Sequence, residues 1–162
     1  MMRPSHLALA LGSVSLVLIL GALGFQYLAG IPPCEMCHWQ RWPHIAAAVI
    51  GLGGGLFVQS GLVGSAFARP LAWVVVLLIT VAGALGVYHA GVEWHWWLGP
   101  QECTGSAFHF HGGKLDLNAP VVQCDVAAWR LFGLSLAGYN ALISLTVATF
   151  GVVLLARAGK KT

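Results

Sequence analysis

The feature that most constrains this chain is the placement of its ionisable residues. Four long stretches contain no Asp, Glu, Lys or Arg; they are 4–34, 42–68, 70–92 and 131–156. Each is longer than the roughly 20 apolar residues that a helix needs to cross a bilayer. Only 8% of the residues are charged and 58% are hydrophobic, so too few charges are available to cover a water-soluble domain, in which about 25% is usual. The same hydrophobicity excludes a disordered chain, and the sequence has no basic run for binding nucleic acid.

These stretches predict an all-α integral membrane protein, an up-down bundle of four transmembrane helices. Closed barrels are the other structures that span lipid, but their alternating segments of about ten residues are absent from this sequence. We expect one domain, 1–162. Its predicted helices are 7–28, 37–58, 70–92 and 131–155. Its predicted outer loops are 29–36 and 93–130. The first stretch is much longer than the core of a signal peptide, so we expect it to remain as a helix.

Basic residues predict the orientation of the bundle. Of the eight Lys and Arg residues, five fall on one side of a four-crossing chain: Arg3, Arg69, Arg157, Lys160 and Lys161. The side with more Lys and Arg in short loops usually faces the cytoplasm. Both termini are therefore expected in the cytoplasm, and the two outer loops are expected on the opposite side of the membrane.

All four cysteines fall in or beside the predicted outer loops: Cys34, Cys37, Cys103 and Cys124. Outside a bacterial inner membrane, cysteines tend to be oxidised. This arrangement is compatible with three interpretations: two structural disulfides, a dithiol relay, or a four-cysteine zinc site. The spacing Cys34-Glu-Met-Cys37 favours exchange chemistry, because a disulfide across so short a loop adds little stability.

The position of this close pair points to a reactive thiol. The second helix must begin near Cys37 if it is to reach position 58 with about 20 residues. Cys37 then lies in the first turn, where the helix dipole stabilises a thiolate. Arg41 follows one turn later on the same face. We expect Arg41 to stabilise the thiolate and to bind an electron-rich oxygen nearby, although a snorkelling arginine that only sets topology is the alternative.

The segment Pro33-Cys34-Glu-Met-Cys37-His-Trp-Gln-Arg41 resembles the P-C-x-x-C-x-x-x-R motif of the DsbB family, the bacterial disulfide bond formation proteins. Tyr88-His89 at the outer end of the third helix, a second cysteine pair before the last helix, and residues 129–140 also resemble that family. The resemblance extends over essentially the whole chain. The cysteine–arginine motif together with a second cysteine pair is specific evidence for this family, whereas either feature alone would be weak evidence.

The resemblance implies a protein-disulfide:quinone oxidoreductase of the bacterial inner membrane. Such an enzyme reoxidises a periplasmic DsbA-like thiol oxidase and passes the electrons to a membrane quinone, with ubiquinone as the first expectation and menaquinone as the alternative. By the family's scheme, reduced DsbA attacks Cys103, and Cys124 then attacks Cys34. Cys37 leaves as a thiolate beside the quinone, where Arg41 would stabilise it and bind a quinone oxygen.

Histidines supply the remaining candidates. The resemblance places His89 near the quinone, and His44, one turn past the motif arginine, is expected to face the same pocket. His95, His109 and His111 lie in an outer loop, and His109 and His111 have no acidic residue beside them. We expect these three to be solvated or interfacial, and we expect no metal site. An aromatic cluster after the third helix is expected at the membrane interface; it comprises Trp94, Trp96 and Trp97.

Three alternatives to this function remain open from the sequence. An enzyme of the same family could serve a different, dedicated thiol partner. A haem-carrying membrane protein would need paired histidines within the bilayer, whereas His44 and His89 lie near the outer helix ends. A non-catalytic four-helix scaffold would have its outer loops held by inert disulfides.

Overall fold

The computed structural model of the chain describes residues 2–101, 103–104 and 122–159. Within these residues, four helical segments are long and apolar enough to cross a membrane: Pro4–Tyr27, Glu35–Gln59, Ser65–Glu93 and Leu136–Gly159. This confirms the predicted all-α fold with four membrane helices.

The individual elements follow in chain order. They are α1 (Pro4–Tyr27), α2 (Glu35–Val49), a π-helical turn (Ile50–Gly54), α3 (Gly55–Gln59), a 3₁₀ turn (Ser65–Phe67), α4 (Ala68–Glu93), β1 (Arg130–Leu131), β2 (Leu134–Ser135) and α5 (Leu136–Gly159). α2, the π-helical turn and α3 together form the second span, and the 3₁₀ turn leads directly into α4. Because α2 begins at Glu35, Cys37 lies in its first turn.

The last helix begins at Leu136, later than the predicted start at Leu131. The intervening residues form a small antiparallel hairpin, β1 and β2. Its turn has positive φ at both central residues, 49° at Phe132 and 83° at Gly133, a geometry that matches the twist of paired strands. Residues 131–135 carry no charge, so the charge pattern does not distinguish this hairpin from the helix that follows.

Small residues allow the first two spans to approach closely. A Cβ added at Gly51 would lie 2.7 Å from the carbonyl oxygen of Ala8, and one added at Gly12 would lie 2.9 Å from the backbone nitrogen of Leu52. Backbone-to-backbone packing of this kind is common between membrane helices. The adjoining core is aliphatic; it contains Leu7, Ala8, Leu11, Ala47, Ala72, Val75, Val76, Ile79, Ala148 and Leu155.

Candidate functional site

The first cysteine pair is built by the start of α2. Cys34 is the N-cap residue, with an extended backbone, and its sulfur accepts a hydrogen bond from the Cys37 N–H at 3.2 Å. The two Sγ atoms lie 2.8 Å apart, and both residues are free thiols in this structure. Their spacing on one helical turn therefore brings two thiols together at the end of a membrane span.

The two thiols of this pair are not equivalent. The side-chain hydrogen bond with Cys37, followed by burial, raises the pKa of the Cys34 thiol. A thiol with a raised pKa keeps its proton. In a singly deprotonated pair, Cys34 is therefore the S–H donor and the negative charge lies on Cys37.

The second cysteine pair packs directly against the first. Cys103 and Cys124 form a disulfide, and the Cys124 N–H donates to the Cys103 carbonyl at 2.8 Å. Both are buried. One buried cluster contains Cys34, Met36, Val92, Cys103 and Cys124, with Cys37 packed against it. The fold thus brings together two pairs that are far apart in the sequence.

His89 of α4 lies at the centre of this cysteine cluster. Its Nε2 is 3.6 Å from the Cys34 sulfur and 3.7 Å from Oε1 of Glu93. Its Nδ1 is 2.7 Å from Nε2 of Gln40, and the backbone carbonyl of Cys124 accepts from a ring N–H. The histidine therefore contacts both cysteine pairs.

A polar network extends from His89 across the bundle. Asn140 Nδ2 donates to Gln40 Oε1 at 2.8 Å, and Asn140 Oδ1 lies 2.8 Å from His44 Nε2. The other His44 nitrogen is 3.2 Å from the Ser15 hydroxyl, and Ser144 donates to Asn140 Oδ1 at 2.9 Å. The polar network, consisting of Ser15, Gln40, His44, His89, Asn140 and Ser144, connects α1, α2, α4 and α5.

A cavity of about 360 Å³ lies beside the first cysteine pair. Its size is within the range of small-molecule sites, about 300–1,000 Å³. Residues of α1, α2, α4 and α5 and of the outer segments line it. The lining includes five of the predicted site residues: Cys34, Cys37, Arg41, His44 and His89. Arg41 donates to Oε1 of Gln26 at 2.6 Å, which leaves further N–H donors of its guanidinium for a ligand.

Comparison with known proteins identifies the family of the chain. The family model of "Disulfide bond formation protein DsbB" matches residues 4–154. The chain belongs to the DsbB family. Relatives that bear the name "Disulfide bond formation protein B" include proteins from three organisms. The one from Aromatoleum aromaticum is 29% identical, over 85% of this chain and 86% of its own length. The relative from Polaromonas sp. is 26% identical, over 94% of this chain and 92% of its own length. The relative from Acidovorax sp. is 29% identical, over 94% of this chain and 88% of its own length.

No solved structure matches the chain. Membership of the DsbB family makes the chain a disulfide bond formation protein, and its four apolar helices make it a multi-pass membrane protein.

Several polar residues of this DsbB-family site were missed by the sequence analysis. They are Gln26, Gln40, Glu93 and Asn140. Polar side chains inside membrane spans are costly and usually functional. The amides of Gln26 and Asn140 in charge-free stretches, and that of Gln40 in the predicted second helix, were therefore an available signal. Glu93 falls at the start of the predicted outer loop 93–130. In the structure it is buried at the end of α4, and its Oε2 has no hydrogen-bond partner among the described residues.

The remaining loop histidines are only partly described. His95 lies in the turn after α4 with a φ of 60°. His109 and His111 lie outside the described residues, so the expectation that they are solvated or interfacial stays a prediction.

Proposed function

We propose that this DsbB-family protein reoxidises a periplasmic DsbA-like thiol oxidase and passes its electrons to a membrane quinone. One observation carries the proposal: the two cysteine pairs share one buried cluster, and the first pair also borders the cavity. Two disulfide centres in contact permit exchange between them, and a cavity beside the inner pair gives electrons a place to leave.

The exchange follows from ordinary thiol chemistry. A thiolate of the reduced partner attacks Cys103, forming a mixed disulfide and releasing Cys124 as a thiolate. Cys124 attacks Cys34 of the oxidised first pair, and Cys37 leaves as a thiolate. The partner's second thiol then displaces Cys103, and the partner departs as a disulfide. Cys103 attacks Cys124 and closes the loop disulfide again, so that Cys34 and Cys37 remain as a dithiol.

The dithiol must lose two electrons and two protons before the next cycle. DsbA is a strong oxidant, at about −120 mV, and the bacterial periplasm is known to be kept oxidising by a DsbA–DsbB–quinone relay. A bound quinone accepts both electrons and both protons. The residues of this chain must therefore hold a flat ring with polar oxygens beside Cys37.

The cavity lining fits such a ring. It is mostly apolar, with Arg41 able to donate to a ring oxygen and Cys37 exposed to the space. His89 borders the same space between the two thiol centres. His44 also lines the cavity, but both of its ring nitrogens bond to protein atoms. We therefore propose Arg41 and Cys37 as the polar ligands, and we propose that His44 offers its ring face.

We propose the bacterial inner membrane as the location, with both termini in the cytoplasm and all four cysteines on the periplasmic side. The Lys and Arg distribution supports this orientation. The four cysteines also cluster at one end of the bundle, and disulfides persist in the periplasm.

Purified full-length protein, given reduced DsbA and ubiquinone, tests the proposal. We expect oxidised DsbA and quinol to form in equal amounts, and no reaction with Cys103→Ser. Menaquinone, tested in parallel, identifies the acceptor. If DsbA stays reduced while another thiol protein is oxidised, the chain is instead a dedicated oxidase for that partner. If no thiol protein is oxidised, the proposal is wrong.

A further inference from the structure

Two backbone carbonyls fix the orientation of two side-chain amides in the polar network. Asn140 Nδ2 lies 3.1 Å from the carbonyl oxygen of Ala82. Gln40 Nε2 lies 3.1 Å from the carbonyl oxygen of Met36. A carbonyl oxygen can only accept hydrogen bonds, so in each amide the nitrogen end must face that carbonyl. Neither amide can rotate by half a turn without bringing two acceptors together.

These orientations determine where the proton of His89 lies. The second N–H of Asn140 is donated to Gln40 Oε1 at 2.8 Å. The second N–H of Gln40 points to His89 Nδ1 at 2.7 Å. Nδ1 must therefore accept. A neutral imidazole carries its proton on one nitrogen, and here that nitrogen is Nε2.

We propose that Gln40 and Asn140 are positioning residues that hold His89 as its Nε2–H tautomer, so that it donates to the sulfur of Cys34. The 3.6 Å between Nε2 and this sulfur suits a donor to a large atom. The 3.7 Å to Glu93 Oε1 is too long for an N–H···O bond. The backbone carbonyl of Cys124 is a second acceptor for this N–H, so the sulfur of Cys34 shares the donor. His89 is thereby a donor at the thiol centre and cannot act there as a base.

The inference rests on the proposed function for its consequence. In the exchange, Cys34 is the sulfur that Cys124 attacks, and negative charge spreads over the three sulfurs as one bond forms and another breaks. A donor already aimed at the attacked sulfur stabilises that charge without rearrangement.

The same tautomer argues against a metal ion at this site. The ligand atoms of Cys34, Cys37 and His89 all lie within 4.8 Å of one another, a spacing that a metal could use. Metal-bound histidines usually donate their other ring N–H to an acceptor. At His89 the other nitrogen instead faces the N–H of Gln40, so the lone pair of Nε2 is not free for a metal.

Nitrogen NMR of the reduced, full-length protein tests the inference directly. The chain is labelled with ¹⁵N-histidine and measured at a pH of about 8, where imidazole is ordinarily neutral. The His89 signals are assigned by their loss in His89→Gln. We expect a protonated Nε2 and an unprotonated Nδ1. A protonated Nδ1 in the wild-type chain overturns the inference, whatever the variants do.

Gln40→Glu tests the role of the amide, because a carboxylate has the same shape but only accepts. The ¹³C shift of the introduced carboxyl reports its ionisation in the same sample. If it is ionised, we expect the proton of His89 to move to Nδ1. If it is protonated, it donates like the amide, and Nε2–H should remain. The reverse of either result overturns the role of Gln40. Gln59→Glu, an exposed position in α3, is the matched control and should leave the His89 signals unchanged.

This readout needs no quinone and no turnover. A chain with the expected tautomer but without quinone reduction would contradict the proposed function alone. A chain that reduces quinone with Nδ1 protonated would contradict only the inference.

Discussion

At the scale of single residues, Cys34 contacts every part of the thiol centre. Its sulfur accepts from the Cys37 N–H, lies beside the Cys37 sulfur, and faces His89 Nε2. It is also buried with the loop disulfide. Substitutions of the residues that contact this sulfur should therefore each affect a different step of electron transfer.

Cys124→Ser should trap the thiol partner. In this variant Cys103 is a free thiol, and its thiolate can attack the disulfide of oxidised DsbA, which forms a mixed disulfide and releases one DsbA thiol. Because no Cys124 can displace DsbA by closing the loop disulfide, we expect a covalent adduct through Cys103 once the remaining free thiols are blocked by alkylation. Non-reducing electrophoresis and peptide mass spectrometry measure it. Cys103→Ser is the control and should give no adduct. An adduct through Cys34 would reverse the proposed direction of electron flow.

Cys37→Ala should make Cys34 more reactive. The hydrogen bond with Cys37 is the main cause of the raised Cys34 pKa, and a lower pKa gives more thiolate at a fixed pH. We expect alkylation of Cys34 by iodoacetamide at pH about 8.5 to be faster by roughly tenfold or more, since one pKa unit changes the thiolate fraction about tenfold. Cys37→Ser should show an increase at least as large, because its hydroxyl stays neutral and can donate to a Cys34 thiolate. An unchanged rate in the alanine variant would mean that burial alone protects Cys34.

Arg41→Ala should weaken quinone use without unfolding the chain. Hydrogen bonds to charged groups contribute about 1.5–3 kcal/mol, so we expect the KM for quinone to rise about tenfold or more. Arg41→Lys keeps the charge but not the planar donor set, and its effect should be smaller. Steady-state kinetics at fixed DsbA measures both. Arg157→Ala, exposed in the last turn of α5, is the control. A normal quinone dependence in Arg41→Ala would remove this residue from the site.

At the scale of elements, the contact between α1 and the π-helical turn depends on the absence of side chains. Gly51→Ala would place a methyl group 2.7 Å from the carbonyl oxygen of Ala8, and backbone cannot yield as a flexible side chain can. We expect a loss of about 1–3 kcal/mol in the free energy of unfolding, as for other overpacked cores. Denaturant unfolding in detergent micelles measures it. Gly53→Ala in the same turn meets nothing within 4 Å and should be neutral; equal losses in both variants would refute the close-packing explanation.

At the scale of the whole molecule, orientation decides whether the cysteines meet a periplasmic partner. Alkaline phosphatase is active only when exported, so fusions truncated at two points read the topology. We expect activity for a fusion after Leu98, beyond α4, and none for a fusion after Gln59, at the end of α3, because the side with more Lys and Arg usually stays in the cytoplasm. The opposite pattern would place both cysteine pairs in the reducing cytoplasm, where a role in periplasmic oxidation is impossible.

The fold class followed from the sequence because lipid imposes a simple rule. Backbone groups in hydrocarbon must bond within their own helix, so long stretches without charge predict spans irrespective of partners. The first-turn position of Cys37 followed in the same way, from the length needed to reach the far end of the second span. The hairpin before α5 could not be predicted in this way. Its turn residues, Phe132 and Gly133, are uncharged like the start of the helix that follows, so the charge pattern does not separate the two elements.

The amino-acid sequence by itself determined the four spans, the grouping of the cysteines at one end, and the motif that relates the chain to the DsbB family. Those properties depend on local composition and spacing. Only the tertiary structure decided that Gln40 and Asn140 meet His89, because this contact joins α2, α4 and α5. It also decided that Glu93 is buried beside the same ring. Contacts between helices depend on which faces pack together, and in spans that are apolar all round the pattern of residues does not specify those faces.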